Sequence, residues 1–103
     1  MSLHVSPIDT LNLLARSLVV RHKYATEDEA LRDFAAAAVR SKVVYYQRRM
    51  KAMERKYGTD FAAFSARLQG RATLSEEDDW LAWRSARRMQ ADWQQIYHAM
   101  SLS

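Results

Sequence analysis

Seven Lys or Arg fall between Arg40 and Lys56, against one acid, Glu54. On a helical projection Arg40, Arg48, Lys51 and Arg55 line one face, with Lys42, Arg49 and Lys56 on its flanks. Such a face can neutralise several phosphates or dock on an acidic protein. The plain alternative is a solvated outer face whose long side chains cover the edge of an apolar stripe. A second group is the acidic run Glu76-Glu77-Asp78-Asp79, followed by Trp80 and Trp83. Consecutive carboxylates point in different directions around a helix, whereas a metal needs converging ligands, so the run reads as helix-start electrostatics. Trp80 lies off the main apolar face, where it either anchors a partner or closes over a neighbouring helix.

No residues suggest catalysis. His4, His22 and His98 share no metal-binding spacing, and there is no cysteine. No nucleophile elbow, Gly-rich phosphate loop or paired acid and base occurs. A non-enzymatic protein without a cofactor or metal is therefore expected.

Long elements must position these groups. The 103 residues contain two Gly and one Pro, with an apolar fraction of 49% and a net charge of +4. That composition argues for a single folded domain, 1–103, built from few long helices. No apolar run approaches the roughly 20 residues that span a bilayer, and MSLHVSP is too short and polar for a signal peptide. A cytoplasmic protein with no membrane partner is expected.

Four helices are predicted, at about 7–22, 26–57, 60–69 and 75–100, an all-α bundle with a long projecting second helix. Ser6-Pro7 starts the first, whose apolar face is Ile8, Leu11, Leu14, Ala15, Leu18 and Val19. Thr26-Glu27-Asp28-Glu29 forms a capping box for the second, and Gly58 ends it. Thr59 or Asp60 caps the third, and Ser75 caps the fourth. In the second helix Ala35, Val39, Val43, Tyr46, Met50, Met53 and Tyr57 share a stripe about 100° wide. A further stripe of Leu31, Phe34, Ala38 and Tyr45 covers only its first half. The first half is thus expected in the core, with Ala35 to Ala38 allowing close approach, and the second half to serve recognition. In the fourth helix Trp83, Ala86, Gln90, Trp93, Tyr97 and Met100 fit a heptad seam.

The run Lys23-Tyr24-Ala25-Thr26-Glu27-Asp28-Glu29-Ala30-Leu31 resembles the inter-helix turn of ribbon-helix-helix antitoxins. Lys56 to Phe64 and Glu77 to Trp83 resemble small helical proteins encoded beside toxins in prokaryotic toxin–antitoxin modules. The resemblance implies an antitoxin-type protein that neutralises a cognate toxin through helical surfaces. It would use Tyr46, Met50, Met53, Tyr57, Trp80 and Trp83, and would rest as a homodimer through the long helices. The alternative is a DNA-binding transcriptional regulator using Arg40, Arg48, Lys51 and Arg55. The strand that a ribbon-helix-helix protein needs falls on Met1 to Pro7, which is short, contains Pro7 and lacks an alternating basic pattern.

Overall fold

A computed structural model describes residues 6–102. Four helices follow in order, α1 (Pro7–Val20), α2 (Glu27–Tyr57), α3 (Phe61–Leu68) and α4 (Leu74–Ser101), with no strand among the described residues. The protein is all-α, as its composition predicts. Met1 to Val5, which hold most of the expected strand position and His4, lie outside the described residues. The chain divides into two compact units, Met1–Ala38 and Val39–Ser103, and α2 runs through both.

Local chemistry explains the helix ends. Ser6 caps α1 by accepting the Asp9 N–H at 3.1 Å, ahead of Pro7. At its far end the His22 N–H reaches Val19 O at 3.0 Å and the Lys23 N–H reaches Leu18 O at 2.8 Å. That pair is a Schellman motif, and it places His22 at φ 60°, the left-handed position usually given to glycine. The turn shortens α1 by two residues relative to the predicted end at 22.

Thr26 Oγ1 accepts the Glu29 N–H at 3.1 Å, as the capping box requires. The return bond differs, because Glu29 Oε2 accepts from Ala25, at 3.2 Å, rather than from Thr26. Gly58, at φ 64°, ends α2 by donating its N–H to Glu54 O at 2.7 Å. Asp60 caps α3. The expected cap Ser75 is corrected to Thr73, whose Oγ1 accepts the Glu76 N–H at 3.1 Å while its own N–H donates to Glu76 at 3.0 Å. Both residues have an acid three positions on, Glu76 after Thr73 and Asp78 after Ser75, but only Glu76 is of the Glu or Gln type that closes a capping box.

In the first unit, Ala15 and Ala30 are the fully buried side chains. The Tyr24 ring meets Phe34 edge-on at 6.1 Å, and its hydroxyl donates to Asp33. Arg16 pairs with Glu27 at 3.3 Å. Leu31, Phe34 and Ala36 are half-buried but Ala35, Ala37 and Ala38 are exposed, so this part of α2 is wrapped less than expected.

The second unit holds the large side chains of the core. Phe64 and Trp83 are almost fully buried, with Val43 and Ala86 nearby in exposure. Tyr57 lies 4.1 Å from Phe64, and Trp83 lies 5.4 Å from Phe64 and 5.5 Å from Phe61, between ring centroids. Rings of this size bury about 150–250 Å² each. At about 25 cal/mol per Å², each burial favours folding by roughly 4–6 kcal/mol before entropy is counted. The core-forming end of α2 is therefore its second half, the reverse of the expectation, because that is where the aromatic residues supply apolar area.

Candidate binding surfaces

The residues expected to meet a partner are largely used within the second unit. Trp83 is 1% exposed, so it belongs to the core and not to a surface. Tyr46, Met50, Met53 and Tyr57 are half-buried along the packed stripe of α2. Trp80 is half-buried too. Its ring stacks on Phe61 at 5.8 Å, its Nε1 donates to Ser65 at 2.7 Å, and Arg84 lies 5.1 Å from it. Of its two sequence readings, closure over the short helix is the one these contacts fit.

Asp79 ties α4 to the end of α2. It accepts from Lys56 Nζ at 2.6 Å and from the Tyr57 hydroxyl. Lys56, and then Tyr57, hold the Asp79 carboxyl below its usual range. In return the Asp79 bond pushes both the Tyr57 hydroxyl and the Lys56 ammonium upward. Glu76 is lowered by the Thr73 backbone N–H. The carboxylates of Glu76 and Asp79 therefore serve different helix contacts, and no group of three potential metal ligands occurs among the described residues.

Hollows lined by described residues of this unit include two. One of about 470 Å³ is lined by Ser65, Leu68, Ala72, Trp80 and Leu81, with Glu77 and Gln69 among its polar groups. Another of about 280 Å³ brings Met50, Phe61 and Trp83 beside Glu54, Asp60 and Arg87. Ser65 already serves Trp80, and neither hollow pairs a nucleophile with a base.

The predicted cations behave differently from the aromatics. Arg40, Arg48, Lys51 and Arg55 are all exposed, and none forms an ion pair with a described residue. Lys56 is occupied by Asp79, and Arg49 lies over Tyr45 at 5.7 Å while donating to its hydroxyl at 3.3 Å.

The chain matches no family model, no curated protein and no solved structure. No described helix is long and apolar enough to cross a membrane.

One surface was missed in the sequence. On α1, Ile8 is 70% exposed, Leu13 60% and Val20 72%, with Leu11 and Leu14 close to half. Of the face predicted to be buried, Ala15 alone is buried and Leu18 and Val19 are half-buried. Thr10 and Ser17, which interrupt the apolar residues, donate their hydroxyls to Ser6 O at 3.1 Å and Leu13 O at 2.8 Å. Covering them would strand no hydroxyl donor. A signal was present, since Leu13 and Val20 lie outside the face of Leu11, Leu14 and Leu18. One neighbouring helix cannot cover both sides.

Proposed function

We propose that this protein is a macromolecular-binding protein whose α1 docks on a protein partner. The observation that carries the reading is the exposure of Ile8, Leu11, Leu13, Leu14 and Val20 on one short helix. Ile8, Leu11 and Leu14 lie on one side and Leu13 and Val20 on the other, and large apolar side chains left in water on both sides of a helix call for a surface that wraps it. A helix of this kind suits a hydrophobic groove, with side chains three and four residues apart as anchors.

The turn and helix segments that resemble antitoxins make a cognate toxin the first partner class to test. The masking role is the same as in that reading, but the surface moves. Trp83, Trp80 and Tyr57 are engaged in their own unit, whereas the leucines of α1 are free to be covered.

The test is co-expression with the product of the neighbouring reading frame, followed by affinity capture and a mass measurement in solution. A defined complex is expected, and Leu13→Glu with Val20→Glu should abolish it while helicity stays unchanged. Retention of the complex by that double variant, and also by Leu11→Glu with Leu14→Glu on the other side of the helix, would remove α1 from the interface. A lone monomer in every mixture would overturn the reading, and a dimer lost in the variant would place a second copy on α1.

A further inference from the structure

We infer that the Arg40, Arg48, Lys51 and Arg55 face of α2 is a docking surface for the phosphate backbone of double-stranded nucleic acid. It lies wholly within the second unit and is independent of the α1 proposal, so either can fail alone.

At 100° per residue the four side chains fall within an arc of about 80°, spread over about 22 Å of helix. That arc is turned away from Val43, which is 7% exposed, and from half-buried Met50 and Tyr57. A merely solvated helix face gains from acids three or four residues from each base. Here the positions three and four away from Arg40, Arg48 and Arg55 are apolar, small, polar or basic, and Glu54 is the lone acid, three residues beyond Lys51. Arg48 and Lys51, and Lys51 and Arg55, are instead like-charge neighbours at those spacings. Each pair repels until an anion lies across it.

The residues between the cations decide what kind of anion. Ser41, Gln47 and Ala52 are exposed, Val44 is half-buried, and the half-exposed Tyr45 lies about 60° beyond the edge of the arc with Arg49 over its ring. A protein interface of ordinary affinity centres on desolvated aromatic or aliphatic anchors, and this arc offers none. Single-stranded nucleic acid is held by stacking on aromatic rings, and the arc has none of those either. What remains is a row of cations with small polar neighbours, which fits phosphates of a duplex. Three of the four are arginines, whose planar forks match phosphate oxygens in pairs.

Contact with about four phosphates predicts a salt slope near −3.6, or roughly a tenfold loss of affinity for each doubling of salt. The experiment is fluorescence anisotropy of the full chain with a labelled duplex of about 20 base pairs, an equally long oligo-dT strand and polyglutamate, from about 0.05 to 0.4 M salt. The wild type should favour the duplex over both other probes, with that slope. Arg48→Glu with Arg55→Glu should abolish binding. Arg71→Glu with Arg88→Glu, which changes the net charge equally at two exposed sites, should weaken it only slightly. The milder Arg48→Gln with Arg55→Gln should lower the slope by about two, and it serves as a second check on a fold left undisturbed. Equal losses from both Glu pairs would show a bulk-charge effect and overturn the assignment. So would equal or tighter binding of polyglutamate or oligo-dT, or no duplex binding at the lowest salt.

Discussion

The indole nitrogen of Trp80 donates to Ser65 Oγ at 2.7 Å, fastening the first turns of α4 to α3. Phe61 stacks on the same indole. Removing the acceptor alone, with Ser65→Ala, should cost about 1 kcal/mol, because the indole N–H is part-buried and loses its partner. Trp80→Ala also loses the stacking area and should cost about 2–3 kcal/mol, less than a fully buried Trp. Urea unfolding followed by circular dichroism measures both. If Trp80→Ala left the midpoint unchanged, the side chain would be free for a partner after all.

The Lys56–Tyr57–Asp79 cluster sets a pH window. Asp79 is held below its ordinary value of 3.8, so its contribution is present above that value and disappears as pH falls through the lowered folded one. Glu76, lowered from 4.5, is lost on the same side. Tyr57 and Lys56 are raised from 10.0 and 10.5. Their contributions are present below those values and disappear as pH rises through the raised folded ones. Melting temperature should therefore be flat between about pH 5 and 9 and fall on both sides. Asp79→Asn should lower the plateau and soften both edges. An unchanged profile in that variant would show that the cluster contributes nothing.

Thr73, not Ser75, starts α4. Thr73→Ala removes the Oγ1 that accepts the Glu76 N–H while keeping the backbone N–H that donates to Glu76, and should cost about 1 kcal/mol, while Ser75→Ala, at an exposed position inside the helix, should change stability by no more than about 0.5 kcal/mol. Thermal melts of the two single variants separate them. Equal effects would return the cap to an undecided position.

What was legible in the residues follows the range of the forces involved. Ser6-Pro7, Thr26, Asp60 and Gly58 act on backbone groups within four positions, so helix number and most boundaries could be read locally. The exposure of Arg40, Arg48, Lys51 and Arg55 was equally legible, since isolated charges avoid burial. Which apolar residues face a neighbour was not. Met50 and Tyr57 have the same spacing whether the stripe meets a partner or α3 and α4, and only the placement of Phe61, Phe64 and Trp83 decides between them. Likewise the leucines of α1 satisfy helical periodicity, yet most are exposed, because periodicity fixes a face without supplying something to cover it.

His22 and Gly58 share one backbone conformation, at φ 60° and 64°, and should respond oppositely to substitution. A side chain in the left-handed region costs about 1–2 kcal/mol through the contact of Cβ with the backbone, and His22 bears that cost to close its Schellman turn. Glycine removes the clash but adds roughly 0.5–1 kcal/mol of chain entropy on unfolding. His22→Gly should therefore stabilise by about 0.5–1 kcal/mol. At Gly58 no atom beyond its chain neighbours lies within 4 Å of an added Cβ, so Gly58→Ala meets the backbone penalty alone and should destabilise by about 1 kcal/mol. Chemical denaturation of the two variants beside the wild type reads both signs in one experiment. Destabilisation by His22→Gly would mean that the imidazole makes a contact outweighing its strain.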